Sequence, residues 1–494
     1  MSAFARRLPA APVLLGWLIV AHVVLKVVLF PLAWSTPAVG DESAYVNGAM
    51  ALSNTIRDLG AFHTPDWAEL DRNFVASGWF MPGMSIVVAP LYLVVPDAGA
   101  GLVRLYIGIV MLILFVAVLR SVARTLGPRW ACVLAVFPGL VPMWVIFTYA
   151  SWGDTAAGLL LVLVVLRLIE MFRGFRAGQA PTVRDGAVLG LLSIAALYLR
   201  SSTSILLAGL GAITVIAAVV MLRGAVRRRA VAAAAVAGVL FVGLLAPWSA
   251  YASHVLGGRV ITTTTVPTVE ATTFGDRSQI CFGKCDPDST LWFRPVRYSR
   301  EVARATGTSE VDVLKQMSDY ALTGVTVGGY LEQVDHNLAA YALQPAIFIE
   351  HLEPEGGRGA FGAFGARTAE IATWLLYFPV LLLAAASLMT VARRSLEARV
   401  LDVVVKLVLG ALLVQPFVHV AGGRYWTTAG PFFAIAAMIF VRERLIGSRR
   451  MRPPDDGVLT AADARIVTWL GRIQVVLATA VVMVAIVLAA SNVF

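Results

Sequence analysis

The sequence predicts an all-α polytopic membrane protein, and three observations predict it. Hydrophobic residues make up 59% of the 494-residue chain and charged residues only 14%, too little polar surface to wrap a water-soluble globule of this size. Apolar runs of roughly 17–25 residues, the length that crosses about 30 Å of hydrocarbon, recur along nearly the whole chain. The basic residues, which give a formal charge of +10, fall in short bunches between those runs, as the positive-inside bias of membrane proteins requires. That placement also sets nucleic acid aside as a partner, because the bunches form neither a stripe nor a basic arm and no base-reading module accompanies them. The partner that composition does imply is a lipid bilayer.

The first apolar run, 12–34, follows Arg6 and Arg7 and is too long for a signal-peptide core, so it reads as an uncleaved span. A polar stretch covers 35–80. The apolar piece 82–96 is bounded by prolines and short for a crossing, and it reads as re-entrant or interfacial. Spans are expected at 102–120, 130–147, 155–172, 186–199, 204–222 and 230–251, then, after a long polar loop, at 368–391, 400–420, 427–441 and 466–488. The chain thus divides into a transmembrane module, 1–251, whose first outer loop (35–80) carries the candidate catalytic acid; a loop domain, 252–367; and C-terminal transmembrane helices, 368–494. The loop domain is expected to be mixed α/β: Val260-Ile-Thr-Thr-Thr-Thr-Val266 is β-prone, and Ser309-x-x-Asp312 opens a helix near 311–322 as a capping box.

Orientation follows from arginine. With Arg6 and Arg7 inside and 82–96 not crossing, the bunches at Arg120/Arg124/Arg129, Arg173/Arg176/Arg184, Arg223/Arg227/Arg228/Arg229, Arg393/Arg394/Arg399 and Arg442/Arg444/Arg449/Arg450/Arg452 all face the cytoplasm. This gives about eleven spans with the C-terminus outside. It also brings Asp41, Glu42, Asp154, Arg200, His419 and Arg424 to the outer face, and ionisable groups gathered at membrane depth are costly enough to mark a functional site.

Gly40-Asp41-Glu42 opens the first outer loop, ahead of Tyr45, Ala49, Leu52, Ile56 and Leu59 on one helical face, the pattern of an amphipathic interfacial helix. Asp41 stands where an N-cap would, ionised near backbone N–H groups and able to serve as a general base; a plain helix cap is the alternative. Asp154, ending Tyr149-Ala-Ser-Trp-Gly-Asp, is a second acid that could orient an acceptor or, with Asp41, hold a divalent cation, or simply cap the next helix. Arg200, in Tyr198-Leu-Arg-Ser-Ser-Thr203, needs an anionic partner at that depth, and guanidinium binds phosphate in a bidentate manner; snorkelling is the alternative. Gly422-Gly-Arg-Tyr-Trp426 offers Arg424 as a second phosphate ligand with Tyr425 beside it, or a turn with an interfacial aromatic belt. Lys26, with His22 one turn earlier, is expected to face the bundle and pair with an acid. Cys281 and Cys285 would close a small disulfide ring in an oxidising compartment, whereas Cys132 reads as a core residue. The loop domain carries no nucleophile elbow, zinc motif or phosphate-binding glycine loop.

These pieces resemble the GT-C superfamily of membrane glycosyltransferases, in the branch of protein O-mannosyltransferases and bacterial aminoarabinose transferases. The resemblance rests on Gly40-Asp41-Glu42-x-x-Tyr45, Phe80-Met-Pro-Gly-Met84, Arg104, Trp152-Gly-Asp154 and Gly190-Leu-x₇-Leu-Arg200. It continues through Pro247-Trp248, Gly258-x-Val260, and Arg424-Tyr425 with Pro431. It implies a GT-C-like fold in the inner (plasma) membrane and inverting transfer of a sugar from a polyprenyl-phosphate donor to a hydroxyl of a glycan, glycolipid or protein on the extracytoplasmic face. Asp41 would be the base with Glu42 beside it, Asp154 the second acid, and Arg200, Arg424 and Tyr425 the donor-phosphate site, with no cofactor required and a divalent cation optional. Related sugar transferases often carry Lys where this chain has Met81, so that phosphate contact would come from elsewhere, such as Arg57 or Arg72. Arginine-heavy usage, with Lys only at 26, 284, 315 and 406, fits a bacterial chain of GC-rich coding. The rival readings are a lipid or sugar transporter or flippase, whose ionisable residues should line a path through the bilayer, and a non-catalytic envelope assembly protein.

Overall fold

In the computed structural model, which describes residues 10–34, 36–38, 40–286, 293–346, 359–392, 395–419, 422–445 and 461–491, all regular structure is helical. Among the described residues, seven segments are long and apolar enough to cross a membrane: Ala11–Trp34, Ala100–Thr125, Gly153–Arg176, Ser201–Met221, Gly224–Leu256, Gly362–Leu388 and Leu396–Val418. The chain is a multi-pass membrane protein. Arg6, Arg7, Arg393, Arg394, Arg449, Arg450 and Arg452 lie outside the described residues.

Helix α1 (Ala11–Trp34) shows how lipid inverts the usual amphipathic logic. Its buried stripe is His22, Lys26, Leu29 and Ala33, spaced as one helical face, while Trp17, Val20, Val24, Val27 and Val28 point outward. Lys26 meets no acid there. Its ammonium donates to the Thr148 hydroxyl and lies 4.1 Å from the centre of the Tyr149 ring, so a hydroxyl and a π face take the place of the expected carboxylate.

Helices α2 (Asp41–Gly60), α3 (Trp67–Leu70) and α4 (Gly83–Val94) lie between the first and second long apolar helices. At 1.5 Å per residue, a 12-residue α4 reaches about 18 Å, short of a bilayer crossing. It packs instead on α2, where the Ser53 hydroxyl donates to the Ala89 carbonyl at 2.8 Å and that of Ser85 to the Tyr45 carbonyl at 3.0 Å. The buried face of α2 is therefore its small-residue face, Gly48, Ala49, Ala51, Ser53 and Thr55, and Ile56 and Leu59 are exposed. The expected apolar stripe is corrected in this respect, because close approach to α4 selects small side chains over large ones.

Helix α5 (Ala100–Thr125) is followed by α6 (Pro128–Val136) and α7 (Pro142–Phe147), into which the expected span 130–147 is broken. Pro138 and Pro142 remove backbone donors there, the Met143 N–H turns to the Thr373 hydroxyl at 3.1 Å, and the Gly139 carbonyl it leaves pairs with His22 Nδ1 at 2.6 Å. Next come α8 (Asp154–Arg176), α9 (Val183–Leu199), α10 (Ser204–Met221) and α11 (Gly224–Leu256). Gly186 and Gly190 lie against the backbone of Ala233 and Ala237, so α9 and α11 touch along a small-residue seam.

The expected loop domain contains α12 (Thr265–Phe274), α13 (Phe293–Thr306), α14 (Glu310–Ala321) and α15 (Val327–Leu343). Among the described residues it has no strand, and 260–264 is irregular before α12 begins. The threonines expected to form a strand spend their hydroxyls elsewhere: Thr264 donates to the Ser77 carbonyl at 2.7 Å and Thr265 to the Trp79 carbonyl at 2.6 Å. With no partner strand nearby, β propensity has nothing to pair with. The capping Ser309 does open α14, accepting from the Asp312 N–H at 3.0 Å. Cys281 and Cys285 are joined in a disulfide, and Cys281 sits in a small core with Ile280, Val313 and Met317. Cys132 is a free, buried cysteine.

The chain ends with α16 (Gly359–Leu388), α17 (Leu396–Leu413), α18 (Gln415–Val418), α19 (Trp426–Phe440) and α20 (Ala461–Ser491). Helix α19 is buried on every side through Ala437, with Trp426 and Phe432 fully enclosed, and is the central post of the bundle. Alternating helix directions put Arg120, Arg124, Arg173, Arg176, Arg184, Arg399, Arg442 and Arg444 at one end, the basic end. The described residues of the turns between α1 and α2, between α7 and α8, between α9 and α10, and between α18 and α19 lie at the other.

Candidate functional site

Four turns far apart in the chain meet at the end opposite the basic one. Arg200 follows the last residue of α9, in extended backbone before a short 3₁₀ turn at Ser201–Thr203. Its place is fixed by close backbone approach from two sides. A Cβ at Gly153 would overlap the Leu199 carbonyl, and one at Gly83 would overlap that of Tyr198, so only glycine admits the hairpin between the start of α8 and the start of α4. Asp154, the first residue of α8, is thereby set against Arg200, and the two form an ion pair with side chains 7% and 10% exposed.

Arg424, just ahead of α19, pairs with Asp41 and lies 3.9 Å from Asp154. Asp41 is the first residue of α2, and the N-cap is Gly40, whose φ of 58° is the left-handed region that glycine tolerates. The expected N-cap role of Asp41 is corrected accordingly: its carboxylate is held by a guanidinium from the other side of the site. Tyr425 places its ring between the two cations, 4.4 Å from Arg200 and 5.1 Å from Arg424, and Trp152 covers Arg424 at 4.8 Å. Two guanidiniums this close repel, and two carboxylates plus two aromatic faces offset the repulsion.

Electrostatics keep the cluster charged. Burial works against the charge of Arg424, but the Asp41 carboxylate more than offsets this and raises its pKa above the ordinary value. Burial also raises the phenols of Tyr45 and Tyr341, with Asp41 adding to the effect on Tyr45, so both remain O–H donors at neutral pH. Gln415 at the start of α18 accepts from Arg200 at 3.2 Å through Oε1, and Ser202 accepts from Arg200 Nε at 2.7 Å. Helix α15 lies against this end, its Asn337 donating to the Pro416 carbonyl at 3.0 Å and Tyr330 to that of Phe417 at 2.7 Å.

Glu42 is not in the cluster. It forms a bidentate pair with Arg104 at 2.9 and 3.1 Å and accepts from the Ser151 N–H at 2.7 Å. Arg104 also donates to the carbonyls of Thr36 and Pro37, both at 3.0 Å. With side chains 3% exposed on each partner, the pair ties α2, α5 and the 148–153 turn together and so aims Asp41 and Asp154. Arg57 turns to Asn54 at 2.6 Å and Arg72 is exposed, so neither joins the cluster. Sequence reasoning missed Trp152, Tyr45, Gln415 and Tyr341 as members, and only the first two fell in motifs that could have pointed to them.

The donor set suits an anion better than a metal. Asp41 and Asp154 each face a guanidinium, and among the described residues no group of three or more His, Cys, Asp or Glu side chains is placed to share an ion. No family model, curated protein or solved structure matches this chain.

Proposed function

We propose that this protein is an inverting membrane glycosyltransferase of GT-C type, using a polyprenyl-phosphate sugar donor at the extracytoplasmic face of the inner membrane of a bacterium. The observation that carries the proposal is the convergence of Asp41, Asp154, Arg200 and Arg424 at the end of the bundle opposite the arginine-rich one. In this reading α1, α5, α6 with α7, α8, α9, α10, α11, α16, α17, α19 and α20 each cross once, giving about eleven spans with the basic end in the cytoplasm.

The donor phosphate takes the place of the two carboxylates as partner of Arg200 and Arg424, and Tyr425 keeps both guanidiniums aligned. Partner exchange then releases Asp41 as base. An acceptor hydroxyl attacks the anomeric carbon as its proton passes to Asp41, the bond from that carbon to the phosphate oxygen breaks, and polyprenyl phosphate departs. The charge gained by the leaving group falls on fixed cations in a dry site, where such stabilisation is largest. Asp154, released from Arg200 by the same exchange, orients the acceptor. Glu42, bound to Arg104, positions the loop. No step requires a divalent cation. A transporter would place ionisable groups along a path through the bundle; the buried Asp402–Lys406 pair, 2.9 Å apart, is instead tied to the residues just after α16, with Asp402 accepting from the Ala392 N–H at 3.0 Å and Lys406 donating to the Thr390 carbonyl.

Membranes carrying the native chain or Asp41→Asn, supplied with radiolabelled polyprenyl-phosphate sugars, test this. Transfer by the native chain should fall by a factor of about 10²–10⁴ in the variant, the range for loss of a general base. Absence of transfer from every donor, with the protein folded, would overturn the reading.

A further inference from the structure

On the Arg200 side of the cluster, a buried amide has one end without a partner. Gln415, the first residue of α18, is 8% exposed, and its Oε1 accepts from Arg200 Nη2 at 3.2 Å. A guanidinium only donates, so this contact fixes which end of the amide is which, with oxygen toward Arg200 and Nε2 beside it on the same carbon. Nε2 is buried and has no acceptor among the described residues. Arg200 is held by Asp154 and Ser202 as well, so positioning that cation does not by itself call for an amide. A buried N–H without an acceptor is costly, and next to a guanidinium poised for phosphate the acceptor that relieves it is one that arrives with the substrate.

The oxygens of the phosphate decide what the amide meets. A sugar donor linked through phosphate to a lipid is a diester, with a single negative charge and two non-bridging oxygens for the forks of Arg200 and Arg424. The lipid phosphate that departs is a monoester of charge about −2, and the terminal oxygen it gains is the one that bridged to the sugar. We propose that Gln415 is a catalytic residue of the transfer reaction, its Nε2 donating to that bridging oxygen as it becomes the leaving group. When the bond from the anomeric carbon breaks, the bonding pair stays on the oxygen. The amide keeps its proton and hydrogen-bonds to the growing charge, while the acceptor's proton goes to Asp41. An ester oxygen accepts weakly and a monoester oxygen strongly, so the bond strengthens along the reaction, the condition for raising turnover more than donor affinity. A neutral donor suits the place, because a third cation would add to the repulsion between the two guanidiniums. The inference rests on the transferase reading.

Titration of the full chain with polyprenyl phosphate and with its methyl diester, read by native mass spectrometry at about pH 8 where the monoester is a dianion, tests it. The diester stands in for the donor and the monoester for the leaving group. Gln415→Leu should lower affinity for the monoester about tenfold and for the diester no more than about twofold, since the lost bond goes to a charged oxygen that only the monoester has. Gln415→Met, which keeps the side-chain length, should do the same, and retained diester binding shows that either variant is folded. With a sugar donor that the native chain uses, kcat of both variants should fall by about 10²–10³ at unchanged donor KM, the range for loss of one oxyanion donor. Equal weakening of both probes, in variants that unfold with the native chain, would leave Gln415 only a prop for Arg200 and overturn the inference. Unchanged affinity for the monoester overturns it too, and both results leave the transferase reading standing. A native chain that binds neither probe overturns the reading and the inference together.

Discussion

Replacing Arg104 with methionine isolates the strut that aims the site. The substitution keeps length and apolar contact but strands the Glu42 carboxylate, 3% exposed, with the Ser151 N–H as its remaining donor. It also removes donors from the carbonyls of Thr36 and Pro37. Breaking a buried pair from one side costs about 3–5 kcal/mol, mostly from the charge left behind. Glu42→Gln alone strands the Arg104 guanidinium instead, with one amide oxygen left to accept and an NH2 facing the cation, and should cost a similar amount. In the double variant Glu42→Gln/Arg104→Met no charge is stranded, so its cost should fall short of the sum of the singles by about 2 kcal/mol, within the range for contacting residues. The assay is SDS-driven unfolding in mixed micelles, followed by near-UV circular dichroism, on the native chain and the three variants. Additive costs, or an Arg104→Met protein that unfolds with the native chain, would refute the strut. A purely catalytic Glu42 would show a different pattern, with activity lost and the unfolding midpoint unmoved.

Other consequences concern the cluster and its cover. Arg424→Lys keeps the charge but loses the planar fork and the stack on Trp152; the KM for the donor should rise about tenfold, and an unchanged KM would remove Arg424 from the phosphate site. Gly153→Ala forces a methyl group into the Leu199 carbonyl, so it should cost about 1–3 kcal/mol by overpacking and, by parting Asp154 from Arg200, slow transfer as well. Replacing Cys281 and Cys285 by alanine opens a ring of sequence separation 4. Chain entropy puts that at about 2 kcal/mol, and proteolysis should quicken in the α12–α14 unit while the bundle stays intact.

Much of the candidate site was legible because each member sits in a short polar interruption of an apolar chain, where a charge is conspicuous by its cost. Asp41, Asp154, Arg200 and Arg424 stand out in this way, and arginine asymmetry ordered them onto one end before any contact was known. Their partners were not legible. Nothing local distinguishes Glu42 from Asp41, yet one is bound by Arg104 and the other by Arg424, since the choice depends on which helices adjoin. The tracts of the loop domain misled for a related reason: strand propensity at 260–266 expresses itself only beside a partner strand, and here the threonines bond to the 77–79 turn. Lys26 likewise found a hydroxyl and a ring instead of an acid.

The sequence by itself determined the helical class, the membrane as solvent and the end of the bundle at which charges collect, because hydrophobic length and charge placement act through the bilayer and need no knowledge of neighbours. Only the tertiary structure decided which carboxylate meets which guanidinium and which glycine makes room for it. Those outcomes depend on distances between segments hundreds of residues apart, and ion pairing and close packing vary over a few ångströms that no local pattern encodes.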